Sequence, residues 1–174
     1  MVSFRDIRVL VIGAAGSLGG RVHVLERSQR LELPAEQAFQ FFTDAHNLES
    51  ITPPWLDFNV ATPGPIEMRP DALIEYRLKL RGVPVRWRTR IEAWEPPRRF
   101  VDVQLQGPYA FWEHTHTFEP DGESAVVIRD RVRYALPFGA LGRIAHAAFI
   151  KRDLERIFDY RERAVAKRLR PVAT

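Results

Sequence analysis

The hydrophobic positions change their period twice along the chain. From Val22 to Leu33, apolar residues first stand on both sides and then alternate through "RLEL", the pattern of a long strand. Pro34 occupies a favoured helix-start position, and Ala35, Ala38, Phe39 and Phe42 follow at helical spacing, which predicts a short amphipathic helix. Asp44 can cap a second short helix with Leu48 and Ile51 on one face, and Pro53 and Pro54 end it. From Trp55 the period becomes two. Strands are predicted over 55–61, 72–81, 83–94, 100–106, 109–119 and 124–136, with breaks at "TPGP", "RG", "EPPR", "QGP" and "PDGE". Connections this short join antiparallel neighbours. After "LPFG" a single long helix is predicted from Ala140 to Leu169, with Leu141, Ile144, Ala148, Leu154, Ile157, Phe158 and Val165 on its apolar side.

Ahead of this pattern stands "VLVIGAAGSLGG", residues 9–20, where Gly13, Gly16 and Gly19 match the spacing of a dinucleotide-binding loop. In that reading 17–28 is a helix and Glu32 binds ribose hydroxyls. Two arguments oppose it. Residues 22–33 cannot be both that helix and the first strand of an antiparallel sheet. Nothing downstream supplies further parallel strands and crossover helices, and one such unit cannot bury its own sheet faces. Residues 1–20 are therefore expected to be an appendage, 21–170 the domain and 171–174 a tail, with no nucleotide and no other cofactor required.

At 174 residues, 45% hydrophobic and 11% aromatic, the chain has the composition of one packed domain. It has no cysteine, so disulfides, thiolate metal sites and a cysteine nucleophile are excluded. Arg5 and Arg8 precede an apolar run that dissolves into glycines without a persuasive cleavage site, so a cytoplasmic location is expected.

In the strand at 109–119, Trp112, His114, His116 and Phe118 share one side, and the other side is more polar; the first set is placed inward. In the next strand Val126, Ile128, Asp130, Val132 and Tyr134 face inward, and Asp130 is the anomaly in that row. A buried carboxylate takes a partner or a proton. Pairing across "PDGE" sets His114 opposite Asp130 in one register and Trp112 in another. A His114–Asp130 pair near Tyr134 can orient a ligand hydroxyl or carbonyl, or act as general acid and base. Inward histidines on a strand are more often hydrogen-bonded packing residues than catalysts. His114 and His116 alone do not make a metal site, and no convincing third ligand accompanies them, so no metal is expected.

Further inward positions are Ile74, Tyr76, Leu78 and Leu80, then Val85, Trp87, Thr89 and Ile91, and then Val101, Val103 and Leu105. With Trp112, Phe118 and Phe158 they describe an aromatic-rich interior that is either filled or partly open. Net charge is +4 and mostly arginine. The stripes Arg77-Lys79-Arg81, Arg86-Arg88-Arg90 and Arg129-Arg131-Arg133 share faces with Glu75, Glu92, Asp102, Glu113 and Glu119, so cross-strand ion pairs are expected there. Docking of that face on anionic lipid is the less favoured account. Nucleic acid is not expected, because aromatics do not interleave with the basic residues.

The order strand, two short helices, six strands, long helix, together with "GPYAFWEHTHTFEPDG", "VVIRDRVRYALPFGALG" and "LERIFDYR", resembles the helix-grip fold of the START-like superfamily. Within it the chain is similar to the polyketide cyclase/dehydrase-type branch of the SRPBCC ligand-binding proteins. The resemblance covers about 22–168. It implies an α+β, START/Bet v 1-like fold: a curved antiparallel sheet of about seven strands around a long C-terminal helix. It also implies a cavity whose mouth lies near "LPFGALG", where Gly139 and Gly142 permit close approach, with Met68, Arg69 and Pro70 as the opposite rim. His146 is left without an assigned side.

The expected function is binding of a hydrophobic small molecule, of polyketide, isoprenoid quinone or lipid class. Tyr76, Trp87, Trp112, Phe118 and Phe158 are the expected apolar contacts, and His114, His116, Asp130 and Tyr134 the polar ones. The alternatives are a cyclase, aromatase or dehydratase using His114 and Asp130 as catalytic residues, and a lipid or quinone chaperone docking through the arginine face. Ligand identity and oligomeric state are not legible from the sequence.

Overall fold

The computed structural model describes residues 21–137 and 149–169. The strand β1 (His23–Leu31) leads into helices α1 (Ala35–Thr43) and α2 (Ala45–Ile51). The chain then makes a 3-10 turn (Pro54–Leu56) and forms β2 (Asn59–Val60), β3 (Leu73–Leu80), β4 (Val83–Glu95), β5 (Arg99–Gln106), β6 (Phe111–Pro120) and β7 (Val126–Ala135). Helix α3 (Lys151–Arg168) follows. The seven strands form one sheet in the order β1-β7-β6-β5-β4-β3-β2, every pairing antiparallel. This is the α+β architecture that the pattern predicts.

Local chemistry explains several element ends. The Asp44 carboxylate accepts from the backbone N–H of His46 at 2.9 Å, capping α2. Arg81 and Gly82 both hold positive φ (51° and 82°) in the two-residue loop joining β3 to β4, the conformation that suits strand twist. The strand predicted over 55–61 is shorter than expected. Pro53 and Pro54 introduce the 3-10 turn, and Asp57 takes a left-handed φ of 45°, so only Asn59–Val60 pairs with β3. Trp55 packs edge-on against Tyr160 of α3 with ring centroids 5.6 Å apart.

The glycine motif, Gly139, Gly142, His146, the start of the long helix and the tail 171–174 lie outside the described residues. The strand β1 nevertheless occupies the second half of the segment that the dinucleotide reading assigns to a helix, and Glu32 is an exposed ion-pair partner of Arg30.

One stretch faces the other way from the expectation. In β5, Val101, Val103 and Leu105 were expected inward, yet Leu105 is 49% exposed while Phe100 is buried and Asp102 points inward with it. The pairing of β4 with β5 shifts register at Arg88/Thr89 and again at Ile91/Ala93. Such irregularities re-aim every later side chain. Trp94, Phe100 and Phe39 consequently pack together on the inner face. Val101 is buried all the same.

Two apolar clusters hold α3 and α1 to the sheet. One joins Phe39, Phe100, Phe118, Ile128 and Val165; the other joins Leu25, Trp112, Val132, Tyr134, Leu154 and Phe158. The outer face carries expected ion pairs, Arg88–Glu75, Arg129–Glu119 and Arg133–Glu113 at 3.6, 3.1 and 2.9 Å, and a further one, Arg131–Glu26 at 3.3 Å. Arg81, at the hairpin tip, donates to both carboxylate oxygens of Asp153 on α3 at 2.7 and 3.1 Å. No described helix is long and apolar enough to cross a membrane.

Phe118 is 1% exposed and touches Phe39, Phe42 and Phe100 edge-on or stacked. Phe118→Ala is expected to lower unfolding free energy by about 3–5 kcal/mol in urea titrations, as for other large-to-small core changes.

Candidate functional site

Between the two apolar clusters runs a belt of polar residues. Along β6 the order is Trp112, His114, His116, Phe118; along β7 it is Ile128, Asp130, Val132; along α3 it is Phe158, Arg161, Val165. The polar members sit at the same level, and Asp102 of β5 completes the belt. The strand β6 lies between β5 and β7, so its two histidines have a carboxylate on each side. Both histidines are 5% exposed.

Cross-strand register places Asp102 opposite His114, and Phe100 opposite His116. On the other side His116, not His114, is opposite Asp130, and His114 is opposite Val132. The sequence reading placed His114 or Trp112 opposite Asp130, and the true register differs from both. The side chains still converge. His114 Nε2 lies 2.9 Å from Asp130 Oδ1, and His116 Nδ1 lies 2.8 Å from the same oxygen. On the opposite edge of the rings, His116 Nε2 is 3.3 Å and His114 Nδ1 3.8 Å from Asp102 Oδ2. Each imidazole therefore spans two carboxylates, with ring centroids 3.8 Å apart. Phe100 stacks on His116 at 4.2 Å and shields it.

This environment separates the two histidines in basicity. Burial, and then the neighbouring His116, push His114 below its ordinary value, against its bond to Asp130. Burial acts the same way on His116, but its contacts with Asp102 and Asp130 outweigh it and raise the pKa. Burial would raise the Asp130 pKa, yet both histidines reverse this and hold it well below the carboxylate range. Arg161 is lowered by burial, while Asp130 and Asp102 act to keep it charged. Its Nε has no hydrogen-bond partner, and its guanidinium lies 5.1 Å from the Phe158 ring centroid.

A cavity of about 160 Å³ opens between sheet and helices on one side of the belt. A space of this size holds about one aromatic ring, so a larger ligand seats a ring or a chain segment there. Tyr76, Trp87, Trp112, His114, His116 and Phe158, all expected at the site, line it. Three expected residues do not. Phe118 and Tyr134 pack within the two apolar clusters, where neighbouring rings cover them. Asp130 stands behind the histidines and lines only a small void of about 20 Å³. Met68 lines the main cavity; Arg69 and Pro70 do not.

Among the wall residues that the sequence analysis does not place at the site are Asp102, Arg161, Phe41, Phe42 and Tyr109. Asp102 was assigned to the outer face because the alternation of β5 shows its apolar residues on the other side. Arg161 receives no role in the sequence analysis; its three- and four-residue spacing from Phe158 and Val165 is the available signal. Phe41 and Phe42 of α1 form another part of the wall, and Tyr109 joins Trp87 and Trp112 in a three-ring group with centroids 4.7–5.6 Å apart. Trp87 is fixed by its Nε1–H, which donates to Thr89 Oγ1 at 3.0 Å.

The family described as polyketide cyclase/dehydrase and lipid transport matches residues 22–170. The chain belongs to this family. Among solved structures, the Zhui aromatase/cyclase of a Streptomyces species aligns with TM-score 0.67 and 13% identity, covering 85% of this chain and 93% of the other. A START superfamily protein from Mycobacterium smegmatis aligns with TM-score 0.61 and 12% identity, covering 84% and 96%. Norcoclaurine synthase from Thalictrum flavum aligns with TM-score 0.62 and 11% identity, covering 87% and 99%. At these identities the likeness establishes the START/Bet v 1 helix-grip fold of this family member. A search of curated proteins finds no match in sequence.

Asp130→Ala removes the hydrogen-bond partner of His114 and the carboxylate charge beside His116. It is expected to cost about 3 kcal/mol of stability in urea unfolding, while the isosteric Asp130→Asn costs less.

Proposed function

We propose that the protein binds a hydrophobic small molecule of polyketide, isoprenoid quinone or lipid class in the cavity between sheet and α3. One observation carries this reading: the cavity wall is mainly aromatic and aliphatic, its charged and imidazole groups gathered where the polar belt meets it, with Asn47, Thr52 and Thr89 as its other polar members. Ligand sites combine such walls with a few convergent polar groups. A ring of the ligand fits against the group formed by Trp87, Tyr109 and Trp112, and its oxygen faces His114, His116, Asp102 and the guanidinium of Arg161. Membership of a family that includes lipid transport supports the same class.

Native mass spectrometry of protein isolated from its own host is expected to reveal one retained apolar molecule. In vitro, 8-anilinonaphthalene-1-sulfonate is expected to bind saturably at one site. Ile157 lines the cavity from α3 and is only partly buried. Ile157→Trp fills the space and is expected to weaken the probe by about tenfold or more, some 1.4 kcal/mol, with the fold retained by circular dichroism. Unsaturable binding, or binding indifferent to this substitution, removes the cavity as the site.

A second reading, a cyclase or dehydratase, draws on the cavity-facing His114 held by a buried carboxylate. A histidine so held is equipped to shuttle a proton during loss of water from a bound substrate. It predicts that His114→Ala abolishes turnover of a cyclisable substrate while probe affinity changes less than threefold. Parallel loss of both assigns His114 to binding alone.

A further inference from the structure

The sequence offers two histidines at i, i+2 and no third ligand; the fold supplies one. Asp102 lies directly opposite His114 on the neighbouring strand. One ligand atom each from Asp102, His114 and His116 falls within 4.8 Å of the other two. The two distances to Asp102 Oδ2, 3.3 Å from His116 Nε2 and 3.8 Å from His114 Nδ1, are close to what a small divalent ion imposes. Bonds of roughly 2.0–2.1 Å at tetrahedral angles separate neighbouring ligand atoms by about 3.4 Å.

The remaining nitrogens point to the same arrangement. His114 Nε2 and His116 Nδ1 both turn to one oxygen of Asp130, on the side away from Asp102. Metal-bound histidines almost always direct their second nitrogen to a carboxylate or carbonyl, which fixes tautomer and ring orientation. The His116 Nδ1 contact is short, at 2.8 Å, yet lacks hydrogen-bond alignment, so this ring is not in its best position for Asp130 alone. His114 and His116 are buried and Asp102 is partly buried, so the donors are largely withdrawn from bulk water.

We infer that Asp102, His114 and His116 form a binding site for a first-row divalent metal ion, with Asp130 positioning the two histidines. Two imidazoles and one carboxylate are a donor set suited to Zn²⁺ or Fe²⁺, and three protein ligands leave at least one coordination position. All three donors line the cavity, so that position faces it. An ion there would accept an oxygen of the occupant, a carbonyl, enolate or phenolate, and polarise it as a Lewis acid. This last step rests on the small-molecule reading above; the metal site itself does not.

The test uses the full chain, freed of metal with a chelator and titrated with Zn²⁺ by calorimetry in the absence of any organic ligand. Co²⁺ serves as the spectroscopic probe. The expected result is one site per chain, a rise in Tm with Zn²⁺, and visible Co²⁺ bands of four- or five-coordinate character. Asp102→Asn keeps the side-chain shape and removes the anionic ligand; it is expected to weaken Zn²⁺ by more than about 100-fold. Asp130→Asn acts through the histidines and is expected to weaken it by about 10–100-fold. His46→Ala, an exposed histidine on α2 away from the belt, is expected to change nothing. Circular dichroism and metal-free Tm verify that each variant is folded. Absence of stoichiometric binding by the wild type overturns the site. So does Zn²⁺ affinity that survives Asp102→Asn or disappears with His46→Ala. Probe binding measured in chelator reports separately on the small-molecule cavity, so failure of one inference is distinguishable from failure of the other.

Discussion

The core of this protein is divided by charge. A sheet wrapped on a helix would ordinarily fill its interior with apolar side chains, but here Asp102, His114, His116, Asp130 and Arg161 lie at one level across three strands and α3. Taking a carboxylate out of water costs several kcal/mol unless donors replace the water. The strand order meets that demand, because the histidine strand β6 runs between the two that carry the aspartates. Phe39, Phe100 and Phe118 pack on one side of the belt, Trp112, Leu154 and Phe158 on the other. The belt thus limits how completely the interior can collapse. On the side of Asp102 the remaining space is the cavity.

Much of this architecture is legible in the chain itself. Period-two alternation and short turns locate β3 to β7, and Asp44 marks the start of α2 by the hydrogen bond it makes in the fold. The alternation of β6 and β7 correctly sets His114, His116 and Asp130 inward. What the chain does not display is register. The pairing of β6 with β7 places His116 across from Asp130, and a two-residue difference of this kind leaves the hydrophobic pattern unchanged. The face of β5 was hidden for a related reason. Its apolar alternation points to Val101, Val103 and Leu105, whereas the irregularities in β4 and the pairing with β6 turn Phe100 and Asp102 inward. Asp102 was therefore assigned to the outer ion pairs.

The glycine-rich opening shows the converse limit. Its spacing matches a nucleotide-binding loop, but the chain immediately after it enters an antiparallel edge strand paired with β7. A phosphate-binding loop draws its chemistry from the N–H groups of a following helix, and a strand has no such cluster to offer. Local spacing is therefore a weaker guide than the element it introduces. The same logic applies to Arg161, which is unremarkable in composition and distinctive only through its place between Phe158 and Val165 on α3.

The contact between Arg81 and Asp153 has a mechanical meaning. Arg81 directly follows Leu80, and Asp153 directly precedes Leu154; both leucines line the cavity. The ion pair thus clasps the hairpin tip to the helix one residue outside the chamber. Exposed pairs of this kind contribute about 1 kcal/mol or less and weaken with salt, far below the cost of parting two hydrogen-bonded strands. The boundary between hairpin and helix is consequently easier to part than the sheet itself, and added salt weakens this clasp.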